Sequence, residues 1–260
     1  MFERLVREQS EPQPLSAEGL ERIVLADNGH GRTALDNASS AGAATAYMEG
    51  VHTLAASKHL SAAALMRILA HLPPGSGMNR SSTLAGLAVN RSAGAALGVV
   101  LASIRSLREA DLIGKDDVRR LLCREEDGVW LTALDQALEE GGKNLELMLR
   151  ACIDAAKNDE LTFQDIAEGL GFHREGWIKR QVHYAGKHGT DFHPLGVAVR
   201  YGYIEPLTTV LDAFDQMYVN EKATRQDIEP LLSPLLTWQT QGLRGEQCKE
   251  LLRNRLDSWK

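Results

Sequence analysis

The sequence predicts an all-α protein assembled from repeated helical units, on three observations. Ala, Leu and Gly are plentiful while aromatic residues make up only 5%, and long β-branched runs are absent, which favours helices packed closely through small residues. Apolar residues recur at helical spacing in several long segments. A helix-start signature returns five times, and such internal repetition is the first thing to establish because it decides the fold.

Taken in order, Met1 to Leu15 carry mixed charge and Glu11-Pro12-Gln13-Pro14, and read as an N-terminal arm, 1–15. The recurring start signature begins at Ser16, Ser61, Gly114, Thr162 and Thr224, giving intervals of 45, 53, 48 and 62 residues. Each start has a capping residue or glycine. The last three place Asp117, Asp165 or Asp227 three positions on, where a carboxylate serves the helix amino terminus. The fourth residue of each copy, Leu20, Leu65, Val118, Ile166 or Ile228, is predicted to turn into the core.

A second element is tied to the first. Thr33-Ala-Leu35-Asp-Asn-Ala38 with Gly42 matches Thr132-Ala-Leu134-Asp-Gln-Ala137 with Gly141, and His193-Pro-Leu195-Gly-Val-Ala198 with Gly202. A worn copy keeps Leu87 and Gly94. Glycine four residues after the small core residue is expected to end a short helix in left-handed geometry. A longer amphipathic run then follows. The core faces are Ala44, Tyr47, Met48, Val51 and Leu54; Leu97, Val100, Leu101, Ile104 and Leu107; Leu145, Met148, Leu149, Cys152, Ile153 and Ala156; and Ile204, Leu207, Val210, Leu211 and Phe214. A unit is therefore a short helix, a glycine turn, a long helix and a third, capped helix, and repeats fill 16–230. The remainder, 231–260, reads as a half-repeat and a charged capping helix that closes the last apolar face.

The Thr-x-Leu-Asp-x-Ala-x-x-x-Gly element, preceded by a turn such as Gly29-His30-Gly31-Arg32, resembles the Thr-Pro-Leu-His-x-Ala-x-x-x-Gly signature of ankyrin repeats. Pro194 keeps the family's proline. Asp36 and Asp135 stand where the family has histidine, His193 where it has threonine, and the units exceed the family's length of about 33 residues. The resemblance implies an ankyrin-like solenoid with elongated units and a C-terminal capping helix. Such enlarged units are similar to those of some bacterial effector proteins, which implies a cytoplasmic protein, secreted into a host cell cytosol in the effector case.

Charge and cysteine usage narrow the function classes. With a formal net charge of -6 and no dense Lys/Arg cluster, sequence-independent nucleic-acid binding is not expected. No apolar stretch approaches the roughly 20 residues needed to span a bilayer, so no membrane partner is expected. Cys123, Cys152 and Cys248 are few, distant and odd in number, and read as buried small hydrophobes in a reducing compartment. No cofactor, metal or catalytic residue is assigned. His173, His183, His188 and His193 fall at intervals that scatter over helix faces, unlike paired zinc ligands. The alternative reading is nonetheless an enzyme with a small histidine-containing catalytic or metal site in the 171–193 insertion, and a third is an inhibitor or immunity protein.

The expected partner is another protein, bound by a chain that is monomeric when free. In a solenoid, the turns before the short helices line one concave strip. Here that strip comprises Asn28, His30 and Arg32, then Asn79 and Arg80, then Trp130, then Asp191 and Phe192. Trp130 is the leading anchor. The longest interval adds Trp177 and Arg180 in a basic, aromatic insertion, since Trp and Arg are the usual anchors of interfaces.

Overall fold

A computed structural model describes residues 16–24, 26, 34–35, 40–69, 87, 94–123, 132–172 and 194–259. Every regular element among them is helical, as the sequence predicts. In chain order these are α1 Ala17–Val24, α2 Ala41–Ala56, α3 Ala62–Leu69, α4 Gly94–Glu109, α5 Lys115–Cys123, α6 Ala133–Glu140, α7 Gly142–Lys157, α8 Phe163–Gly169, α9 Pro194–Tyr201, α10 Ile204–Val219, α11 Arg225–Leu232, a 3-10 turn Ser233–Thr237 and α12 Gly242–Ser258. The long helices α2, α4, α7 and α10 are each 16 residues, and α12 is 17. They pack in chain order, α2 on α4, α4 on α7, α7 on α10 and α10 on α12. The capped helices follow a parallel row, with α1 against α3 and α5 against α8.

The irregular repeat intervals conceal a constant module. From the start of a long helix to the start of its capped helix is 21 residues in each unit: Ala41 to Ala62, Gly94 to Lys115, Gly142 to Phe163, Ile204 to Arg225. A turn of fixed geometry sets that length. Its second residue is left-handed every time, Lys58 at φ 60°, Asp111 at 54°, Asp159 at 57° and Glu221 at 57°. The N–H groups of Lys58, Asp111, Asp159 and Glu221 donate to carbonyls three residues back at 3.0 Å. Those of His59, Leu112, Glu160 and Lys222 donate five residues back at 2.9 Å. This pattern satisfies the orphaned carbonyls of the long helix, a task glycine usually performs because it has no Cβ to strain. Two residues on, Leu60, Ile113, Leu161 or Ala223 enters the core, and the next residue caps the following helix.

The caps form as predicted. The hydroxyls of Ser16 and Ser61 accept N–H bonds at 3.1 Å. Asp117, Asp165 and Asp227 each accept the cap residue's own N–H at 2.8 Å. Four of the five predicted inward residues are buried, Leu65, Val118, Ile166 and Ile228, whereas Leu20 is half-buried. The long-helix faces at Leu97 to Leu107 and Leu145 to Ala156 are buried throughout, as are Ala44, Met48 and Val51. Tyr47 and Leu54 are half-buried, and the Tyr47 hydroxyl donates to Val24 O at 3.0 Å.

The glycine turn is a partial success. Gly141 at φ 67° and Gly202 at φ 76° are left-handed and end α6 and α9. Gly42 and Gly94 are not; they lie at position two of α2 and position one of α4. The signature leucines explain the difference. Leu35, Leu87, Leu134 and Leu195 are all buried, yet they precede the start of the long helix by 6, 7, 8 and 9 residues. The anchor is constant and its register slides, so the glycine falls at a different place in each turn. Gly94 does another job: a Cβ there would stand 2.9 Å from Asn144 Oδ1, so its absence lets α7 approach α4.

Ile204, placed on the α10 core face by spacing, is instead 40% exposed because it is that helix's first residue, before the wheel turns inward at Leu207. The closing helix α12 is also less polar than its composition. It buries Cys248, Leu252 and Leu256, and Trp259 behind it, against α9 and α10. Arg255 pairs with Asp212 and Asp215 of α10, and the Trp259 indole donates to Asp215.

Candidate functional site

The ten residues proposed from the sequence, Asn28, His30, Arg32, Asn79, Arg80, Trp130, Trp177, Arg180, Asp191 and Phe192, lie outside the described residues. So do His173, His183, His188 and His193. The described part of the signature acts in stacking. Thr132 caps α6 by accepting the Asp135 N–H at 3.0 Å and donates its own hydroxyl to Gly169 O at 2.6 Å, tying α6 to the end of α8. Leu134 and Ala137 are buried beside it.

The three cysteines are buried thiols. Cys123 and Cys152 sit with their sulfurs 3.9 Å apart at the α5–α7 joint. The hydrogen bond to Cys152, together with burial, pushes the Cys123 thiol well above its ordinary range, the reverse of what activates a nucleophile. Burial also raises Cys248.

What the described residues do present is a set of grooves between successive long helices. Between α4 and α7, the small residues Gly98, Ala102 and Ala151 hold the helix surfaces open over Val118 and Leu122 of α5, enclosing about 320 Å³. At its rim, Arg105 is engaged by Glu109 at 2.8 Å, which raises its pKa, while Arg150 has no partner among the described residues. Between α2 and α4 a wider space of about 540 Å³ is lined by Met48, Glu49, His52, Val99 and Ser103. Ser103, His52 and Glu49 make no hydrogen bond to one another. A proton relay for nucleophilic chemistry requires such contacts, so the chemistry of this space is that of a surface.

The opposite edge of the long helices is strapped by charge. Lys115 donates to Asp159 O at 3.0 Å, and Lys222 donates to the Asp159 carboxylate at 2.6 Å, linking the turns after α7 and α10 to α5. The Lys222 bond and charge lower the Asp159 pKa. Arg108 and Glu160 form an ion pair at 3.0 Å, poorly aligned for a hydrogen bond. Arg119 of α5 pairs with Asp165, buried at the start of α8, where the same carboxylate completes the capping box. No group of three His, Cys, Asp or Glu side chains among the described residues is arranged to hold a metal ion. No helix among them is long and apolar enough to cross a membrane.

Sequence reasoning did not single out Arg200, Tyr201, Tyr203, Leu243 and Arg244, which meet where α9, α10 and α12 join. The pattern Tyr201-Gly202-Tyr203, a helix stop flanked by aromatics, was the available signal. Their meeting with Leu243 and Arg244 depends on tertiary packing. Compared with protein-family models, with curated proteins and with solved structures, the chain matches none.

Proposed function

We propose that this chain is a protein-binding scaffold of ankyrin-like units, stacked as a solenoid, that recognises another protein through corresponding positions of successive units. The observation that carries this reading is the 21-residue module, repeated four times with the same left-handed turn and with its long helices packed in chain order. A fixed module brings equivalent side chains to a regular spacing, and a regular row is suited to recognising an extended surface rather than to converging on one reacting atom. The strip from Asn28 through Trp130 to Phe192 is the recognition face in this reading, with Trp177 and Arg180 beside it. In the effector form of the proposal the partner is a host cytosolic protein.

The test is a pull-down with the full chain beside a Trp130→Ala, Phe192→Ala double variant, with captured proteins identified by mass spectrometry. The intact chain should retain a partner that the variant loses by about tenfold or more, at a nearly unchanged melting temperature. A variant that loses its fold together with its partner would show these side chains to be core, and would sink this recognition face.

A further inference from the structure

Among the described residues, five large apolar side chains are exposed: Ile23, Tyr203, Ile204, Val219 and Leu243. Three of them meet at one joint. Tyr203 is 56% exposed, Ile204 40% and Leu243 77%. The joint is tightly built. A Cβ on Gly202 would overlap Arg244, and the Gln241 N–H donates to Arg200 O at 2.7 Å, so the end of α9 and the start of α12 touch. Above that contact the Tyr201 and Tyr203 rings stack with centroids 6.1 Å apart, and the Arg200 guanidinium lies 5.6 Å from the Tyr201 ring centre. A solvated helix end has no need of such an arrangement. Stacking holds the aromatic and arginine side chains in place before anything binds, which reduces the ordering cost of association.

The charge of this ledge departs from that of the molecule. The chain is net -6, and arginines such as Arg105, Arg108, Arg119, Arg225 and Arg255 pair with carboxylates. Neither Arg200 nor Arg244 has a carboxylate partner among the described residues. Of the acids nearby, Glu246 is held by the Thr240 hydroxyl, while Glu205 lies at the edge against Gly142. Exposed Tyr and Arg beside exposed aliphatic surface is the composition of an interface centre, where desolvated anchors carry most of the binding energy.

The geometry points to the α9–α10–α12 joint as a docking surface for an acidic segment of a partner protein, one that sets a large apolar side chain on Tyr203, Ile204 and Leu243 and a carboxylate on Arg244. This deepens the protein-binding reading and rests on it, but uses a different face from the Trp130 strip. A second copy of this chain is a poorer occupant, because two bodies of net -6 repel on approach.

The experiment pans a phage-displayed library of random peptides on the full chain. The selected consensus, labelled with fluorescein, is then titrated by anisotropy. Asp or Glu next to Leu, Phe or Trp should dominate the selection, and affinity should fall as sodium chloride rises. Arg244→Glu should weaken binding about tenfold or more, and Tyr203→Ala and Leu243→Ser each about fivefold or more, with melting temperatures unchanged because all three side chains face solvent. Selected peptides without acids, or affinity indifferent to Arg244→Glu, would overturn the ledge. If peptides bind but only the Trp130→Ala, Phe192→Ala variant loses them, the ledge is wrong and the protein-binding reading stands. If the chain retains neither peptide nor protein, both fail. Sedimentation showing a dimer that Arg244→Glu dissolves would assign the ledge to self-association and overturn the proposal.

Discussion

Each unit has a half that never changes length and a half that always does. From the start of a long helix to the start of its capped helix the chain takes 21 residues in all four units. From Ala62 to Gly94, Lys115 to Gly142 and Phe163 to Ile204, the capped helix and the connection after it take 32, 27 and 41. The constant half is over-determined. Its turn must close two carbonyl bonds, bury the residue two places past the left-handed position, and cap the next helix in consecutive steps, so a single inserted residue would spoil all three. The variable half answers to one demand, the burial of Leu35, Leu87, Leu134 or Leu195, and a leucine can be delivered to the core at 6, 7, 8 or 9 residues before the next long helix. Length is conserved where several bonds depend on it at once, and drifts where one does.

The contrast is tested most severely by insertion. One glycine placed between Asn158 and Asp159 should displace Leu161 and break the Thr162 cap. The expected loss is about 3 kcal/mol or more in urea denaturation. The same glycine placed after Glu125, in the interval between α5 and α6, should cost under about 1 kcal/mol, since loop closure depends weakly on length. Equal losses at the two places would remove the distinction.

Truncation of anchors comes next. Leu149→Ala in the constant half and Leu134→Ala in the sliding half should each cost about 2–5 kcal/mol, because both side chains are fully packed. A change near zero at Leu134 would mean that the sliding half is not held by its leucine.

A smaller and opposite effect is expected at the left-handed residues. Asp111→Gly should stabilise by about 0.5–1 kcal/mol, since Asp111 at φ 54° bears steric strain that glycine lacks, offset partly by the glycine's greater freedom when unfolded. A loss of stability would show that the Asp111 side chain, paired with Arg108 at 3.0 Å, matters more than the strain.

The smallest effect is electrostatic. Lys222 lowers the Asp159 pKa, so the stability contributed is present above the unfolded carboxylate value and disappears as pH falls through the folded value. Lys222→Met should flatten the acid limb of the stability profile only slightly, with the difference vanishing in high salt. A difference that persists at neutral pH in molar salt would assign Lys222 a packing role instead.

The helical class, the cap residues and the buried faces of the long helices were legible because each is a local pattern of 3.6-residue spacing or of a side chain reaching three residues along its own helix. The left-handed turns were not, since Lys58, Asp111, Asp159 and Glu221 share no residue type and a search for glycine passes over them. Gly42 misled for a related reason: the motif places it correctly, but the helix it was expected to end has slid relative to the one that follows. The ten recognition residues chosen from the sequence lie outside the described residues, and the ledge that the structure supplies instead joins Tyr203 to Leu243 and Arg244 across 40 residues.

The sequence by itself determined where helices start, which faces they bury and that four units repeat, because those features are settled by neighbours a turn or two apart. Tertiary structure alone decided which part of the unit is rigid in length, that α12 closes the row on α9 and α10, and that exposed tyrosines and unpaired arginines meet at one joint. Such facts depend on contacts between residues far apart in the chain, and no local spacing encodes the distance between them.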